Sequence, residues 1–349
     1  MKNNKMLTPK ERMAVVAKGL RPDQVPFVPV VYEHASKLIG TTPSILARDP
    51  DLIVKGQLEA YRRYRMDIVS VGVDIYNIEA EVLGCEIRYF DNSPEIPGVV
   101  THILEKNKNA LNKLRVPDPF RDGRMPVFLE ACQRIHQEVG KEVQVNATIV
   151  GPFTLAALLR KYENFVMDIL DDPPYARSLL EFTFQVGLAY GTAFSKVGVG
   201  ISVNESWITP PLLSPELFRD FPFPYEKELI SRLKRVGFQS IGLISGGNTL
   251  PIAPYLVQTG TSILAADANT DQLAYKKLAQ EAGIILRVLI DAKLLSSGTD
   301  KEIEEATLRV LKSCAGGSRF ILGCGVVPYE ADSKKILKFR EVALAFHEY

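Results

Sequence analysis

The chain has 349 residues, 46% of them hydrophobic and 24% charged, with a formal net charge of +1. A near-neutral balance without a long run of like charge argues against nucleic acid or an anionic membrane surface as the main partner. No apolar stretch is long enough to span a bilayer, and no apolar signal core follows the basic start at residues 1–6, so the expectation is a cytoplasmic protein.

The first start signal is Thr8-Pro9-Lys10-Glu11: a capping residue, a proline at the first helical position and a glutamate that closes the capping box. Short β-branched apolar runs then alternate with longer amphipathic segments. The first run, 25–32, ends in Tyr32, Glu33 and His34. The second, 68–72, is followed by Asp74, Tyr76, Glu79 and Glu81. The segment 79–102 differs, with β-like pieces at 85–90 and 99–103 split by Asn92-Ser93-Pro94, and reads as an inserted hairpin. The third run, 142–150, leads into Gly151-Pro152-Phe153-Thr154. The fourth, 197–205, leads into Asn204-Glu205-Ser206-Trp207, and Ser214-Pro215-Glu216 starts another helix. The fifth, 239–247, carries Ser245-Gly246-Gly247-Asn248; the sixth, 263–267, ends at Asp267. The seventh, 285–291, ends at Asp291, before a helix start at Thr299-Asp300-Lys301-Glu302. The eighth, 319–326, presents Cys324 between Gly323 and Gly325.

Strands alternating with helices indicate parallel βαβ units, and eight of them in this length indicate a (β/α)8 TIM barrel, an α/β fold with the hairpin inserted after strand 2. The chain is expected to form one domain over residues 1–349. A doubly wound open sheet is the weaker alternative, because no glycine-rich phosphate turn follows the first strand.

In a barrel the site lies at the C-terminal ends of the strands. The residues just past those ends are rich in carboxylates, with one thiol and one histidine, a set suited to acid–base work or metal binding. Each has a plain structural alternative. Asp267 and Asp291 either face the site or cap the helices that follow them. Trp207, the only tryptophan, is either core or wall. His34 is either a ligand or a hydrogen-bonded structural histidine. Cys324 is either a ligand or a small buried apolar group. Glu205, after an apolar run, is expected to point toward the mouth. The four cysteines are widely spaced and read as reduced thiols. No G-x-x-x-x-G-K-[ST], H-E-x-x-H or G-x-S-x-G motif is present.

In this order the residues resemble the uroporphyrinogen decarboxylase superfamily. The pieces that carry the resemblance are Arg21-Pro22-Asp23-Gln24-Val25-Pro26, Asp74 with Glu79-Ala80-Glu81-Val82-Leu83-Gly84-Cys85, Gly151-Pro152-Phe153-Thr154-Leu155-Ala156, and Glu205-Ser206-Trp207 with Leu213-Ser214-Pro215. They continue with Gly247-Asn248-Thr249, Ile290-Asp291 with Gly298-Thr299, and Gly323-Cys324-Gly325 with Pro328. The chain looks closest to the corrinoid-dependent methyltransferase branch. The decarboxylases carry an arginine-rich segment after the first strand for the substrate's carboxylates. Here that segment is Pro29-Val30-Val31-Tyr32-Glu33-His34, without an arginine.

The resemblance implies methyl transfer between a small substrate and a corrinoid (cobalamin) carried by a partner protein, since nothing here resembles a cobalamin-binding domain. It also implies zinc, held in that branch by His-x-Cys after a middle strand and a Cys after the last. Cys324 matches the last ligand, but Ile244 and Gly246 stand at the other two positions. Three readings remain open: a zinc site using Cys324 with Glu205 or His34, a methyltransferase without zinc, or a non-catalytic barrel binding protein. A carboxy-lyase acting on a carboxylated substrate is the further alternative. The candidate catalytic residues are Glu205, Asp74 and Cys324, and the candidate substrate contacts are His34, Tyr76, Asn204, Trp207, Ser245 and Asp267.

Overall fold

The computed structural model describes residues 6–346; most of the basic start at residues 1–6 lies outside them. Eight parallel strands form one sheet: β1 (Phe27–Val30), β2 (Ile68–Ser70), β5 (Gln144–Val150), β6 (Gly200–Asn204), β7 (Ile241–Ile244), β8 (Ile263–Ala266), β9 (Ile285–Ile290) and β10 (Phe320–Val326), with β3 (Glu86–Arg88) and β4 (Gly98–Thr101) as a separate antiparallel pair. The sheet order is β1-β10-β9-β8-β7-β6-β5-β2. Each of the eight windows read from sequence holds one strand, shortened where its last residues enter the loop. The inserted hairpin is the β3–β4 pair, with Glu86 opposite Thr101.

The ends of the sheet meet at the barrel floor. The amide of Asp67 donates to the Phe27 carbonyl (2.8 Å), and the amide of Phe27 donates to the Asp67 carboxylate (2.7 Å). Arg12 pairs with both Asp67 and Asp23. One buried carboxylate thus joins β1, β2 and the first helix, and the sheet closes into a barrel.

Local signals set the helices that surround it. Thr8–Glu11 and Thr299–Glu302 form full capping boxes, and the Ser214 side chain accepts from the Leu217 amide. Met13 and Val16 of helix Pro9–Ala17 pack with Val28, Ile68, Ile263, Ile285 and Ile321 as an apolar plug. A second, much larger apolar cluster fills the layer between strands and helices. The plug closes the lower barrel and leaves the upper interior open to side chains of another kind.

Candidate active site

Side chains alternate across each strand, so every second residue faces the barrel interior. Above the plug these are Ser70, Asn146, Ser202, Gly242, Ala265 and Arg287, and above them Tyr32, Asn204, Ile244, Asp267 and Leu289. Barrel interiors are ordinarily filled with branched apolar residues. Here small and polar ones leave a cavity of about 170 Å³. Tyr76, Ser206, Gly246 and Val326 also line it, near the C-terminal ends of the strands.

Glycines make this wall possible at two positions. A Cβ on Gly72 would lie 2.4 Å from the Tyr32 ring. A Cβ on Gly323 would lie 2.7 Å from the Val28 carbonyl and 3.2 Å from Cδ of Arg287. Both sites are too close for any side chain, so the ring of Tyr32 and the stem of Arg287 rest directly on backbone.

Arg287 is the cation of this chamber, and it is 8% exposed. Its Nε has no hydrogen-bond partner, and it makes no salt bridge among the described residues. Burial pushes its pKa down, opposed by the neighbouring Tyr32 and Cys324. Tyr32 is pushed up by burial, with Arg287 and a hydrogen bond from Asn204 acting the other way. The Ser245 hydroxyl is also buried without a partner. Tyr76 hydrogen-bonds the Ser206 hydroxyl. Asp267 accepts from the amides of Gly247 (3.3 Å) and Asn269 (3.1 Å). Tyr76, Asn204, Ser245 and Asp267, all read from sequence as substrate contacts, are therefore brought together on the cavity wall.

The other candidates lie behind that wall. The amide of Glu205 continues the ladder to the Ile244 carbonyl (2.9 Å), so alternation turns Glu205 outward where Asn204 turns inward. Its carboxylate accepts from the amides of Phe153 and Thr154 (2.9 Å each) and from the Thr154 hydroxyl (2.5 Å). It caps helix Pro152–Arg160, whose preceding Gly151 offers no side-chain cap. Burial pushes Glu205 up to about 7. Nearby Glu226 is fully buried, both of its oxygens lack partners, and burial with the Glu205 charge drives its pKa well above the carboxylate range.

Asp74, with φ of 58°, pairs with Arg124 (2.6 Å), which also bonds Glu81. Burial lifts Asp74 to about 6 even so. His34 is fully buried, 2.7 Å from the Tyr64 hydroxyl and 3.2 Å from the Tyr329 carbonyl, and burial lowers its pKa. Trp207 stacks on Tyr162 at 4.9 Å between ring centroids. Asp291 accepts from the Lys293 amide (2.9 Å) in an exposed turn.

Cys324 alternates with Ile321 and Gly325 of the wall and joins Phe320 and Leu322 in the large apolar cluster. Burial lifts its thiol to about 12. Among the described residues no three His, Cys, Asp or Glu side chains lie close enough to hold a metal ion. Zinc wants about four ligands. Ile244 and Gly246 offer none on the cavity side, Cys324 faces away, and Glu205 and His34 are held by other partners. The donor set does not fit zinc.

Sequence reading passed over Arg287, Asn146, Ser202 and Ser70. A signal existed for Arg287: a charge in the middle of the apolar run Ile285-Leu286-Arg287-Val288-Leu289-Ile290, on the same face as Ile285 and Leu289.

Three comparisons bear on this arrangement. The family model described as "Uroporphyrinogen decarboxylase (URO-D)" matches residues 8–345. The chain is 26% identical over 262 residues to methylcobamide:CoM methyltransferase MtbA of Methanosarcina acetivorans, covering 75% of each. It is 24% identical over 332 residues to methylcobamide:CoM methyltransferase MtaA of Methanosarcina barkeri, covering 92% of this chain and 93% of that protein. A solved structure titled methyltransferase from Methanosarcina mazei superposes with a TM-score of 0.82 at 22% identity, over 97% of this chain and 98% of that one; it bears on the fold.

Proposed function

Because the chain belongs to the uroporphyrinogen decarboxylase (URO-D) family, a barrel family whose relatives here include methyltransferases, we propose that it moves a methyl group between a small substrate and a corrinoid carried by a separate protein. In this reading it works as a single barrel domain over residues 1–349. The observation that carries the proposal is the cavity: a chamber inside the barrel, largely apolar but carrying Arg287 and several uncharged polar groups, that reaches the strand ends, in a chain similar along most of its length to methylcobamide:CoM methyltransferases. The corrinoid, when docked, supplies the cobalt that gives or takes the methyl group.

What the chain itself does follows from its side chains. Tyr76, Asn204, Ser245 and Asp267 are assigned to hold the small substrate, with Tyr32 and Arg287 beneath them. The apolar plug closes the lower end, so the reacting group is presented at the mouth. Fixing a substrate this way converts a collision into a positioned encounter. Asp74, Glu205 and His34 are assigned as positioning residues, since each is hydrogen-bonded to a residue of a surrounding helix: Asn77, Thr154 and Tyr64 respectively. Cys324 backs the wall beside Arg287. No step is assigned to zinc.

A decarboxylase acting on a tetrapyrrole is disfavoured by the absence of arginine from Pro29–His34, where Glu33 is buried instead. The test is incubation of the purified chain with cob(I)alamin and a panel of methyl ethers, methylamines and methyl thioethers. Methylated cobalamin, read from its visible spectrum, is the expected product for at least one donor. Release of carbon dioxide from a carboxylated substrate, with no methylation from any donor, would replace this reading with the lyase one.

A further inference from the structure

Arg287 has no counterpart in the positions that the family resemblance singled out, and its surroundings are unusual for a barrel core. It sits directly above the apolar plug, on the same inward face as Ile285 and Leu289. Its Nε is buried without an acceptor. No carboxylate of the described residues pairs with Arg287: Asp74 is with Arg124, Glu79 with the Val150 amide and Glu205 with helix Pro152–Arg160, while the buried Glu33 and Glu226 form no salt bridge with it. Asp267 lines the rim, with its oxygens on the Gly247 and Asn269 amides. A guanidinium out of water needs a counter-charge or a full set of acceptors, and the described residues supply neither in this chamber.

The room for such a partner is built in. Gly242, Ala265 and Gly325 line the same cavity and leave its centre open. The open space within it is about 170 Å³. Ser70, Asn146 and Ser202 offer further polar groups, and the partnerless Ser245 hydroxyl lies toward the mouth. A planar guanidinium fork matches a carboxylate in geometry as well as charge.

We propose that Arg287 binds the carboxylate of a small organic acid at the bottom of the barrel chamber, with the rest of that molecule extending toward the mouth. The inference rests on the reading of this cavity as the substrate chamber and narrows the substrate to carboxylate-bearing molecules. The anion end is anchored on Arg287, flanked by Tyr32 and Asn204, and the methyl-bearing end lies among Tyr76, Ser245 and Asp267. A neutral isostere would leave the guanidinium without its counter-charge, so discrimination between acid and amide is built into the site.

Calorimetric titration of the full chain with methoxyacetate and 4-methoxybenzoate, each against its amide, tests this, with ethanesulfonate and inorganic phosphate as other oxyanions. The expected result is that at least one carboxylate binds tenfold or more tightly than its amide. In Arg287→Met the preference falls to within about twofold, and Arg287→Lys restores part of it. Equal binding of acid and amide to the native chain, or a preference retained in Arg287→Met, overturns the proposal. Binding of ethanesulfonate or phosphate with no carboxylate bound overturns the assignment to a carboxylic acid. The acid–amide comparison in the native chain stands even where Arg287→Met fails to fold. None of these readouts involves a corrinoid, so failed methyl transfer and failed anion binding remain separate results.

Discussion

Replacing Glu205 with alanine removes the cap of helix Pro152–Arg160. Three donors converge on this carboxylate: the amides of Phe153 and Thr154 at 2.9 Å and the Thr154 hydroxyl at 2.5 Å. Each bond to a charged acceptor contributes about 1.5–3 kcal/mol, and an orphaned buried donor costs its desolvation as well. The three share one acceptor and are not additive, so at pH 8, above the value of about 7 to which burial lifts Glu205, we expect Glu205→Ala to cost about 3–6 kcal/mol. For a chain this large roughly 2 °C is lost per kcal/mol, which places the midpoint about 6–12 °C lower. Glu205→Gln keeps one acceptor oxygen and should lose about half as much. Gly151 supplies an internal control. A Cβ there would lie 2.2 Å from Cδ of Glu205, so Gly151→Ala disturbs the same cap. The double variant should then cost less than the two singles combined. Differential scanning calorimetry reads the native chain and all four variants. A Glu205→Ala midpoint within about 2 °C of the native one would refute the capping argument.

Three further outcomes follow from the same charges. Glu226, with both oxygens buried and partnerless, is expected to cost stability, so Glu226→Met should raise the midpoint by about 2–6 °C, for about 1–3 kcal/mol recovered; a lower midpoint would contradict this. Burial lifts Glu33, Glu79 and Glu205 each to about 7, so the folded chain keeps protons that the unfolded chain has lost. Their contribution is full below the ordinary glutamate range and is lost as pH rises to about 7, whereas His34, its pKa lowered, works the other way. Denaturation midpoints at constant ionic strength should therefore fall between pH 5 and 8, at up to roughly 1.4 kcal/mol per pH unit per group, and a rise across that window would count against the assignment. All four cysteines are buried, with Cys85 lifted to about 11 and Cys324 to about 12. A thiol-reactive aromatic disulfide at pH 8 should label none in the native chain and all four after denaturation; rapid native labelling of Cys324 would place it on the cavity instead.

Periodicity and start signals alone determined the architecture. The alternation of apolar runs with amphipathic segments, the capping boxes at Thr8 and Thr299, and the Asn92-Ser93-Pro94 break were enough for eight strands, their helices and the inserted hairpin. These are local properties, encoded within a few residues of where they act. The polar wall at Asn204, Ser245 and Asp267 was legible for the same reason, since each ends a strand on the mouth side.

Which face each side chain takes was decided by the tertiary structure. A strand of a closed barrel is buried on both faces, so its sequence does not announce which face is interior. Glu205 and Asn204 are neighbours, yet strand pairing turns one to a helix cap and the other into the chamber. Cys324 turns toward the helices because Ile321 and Gly325 turn inward. Arg287 was one charge in an apolar run until strand closure put it above a sealed floor, in a cavity where no described side chain pairs with it. That placement depends on register among eight strands distant in sequence, and no single segment of the chain contains it.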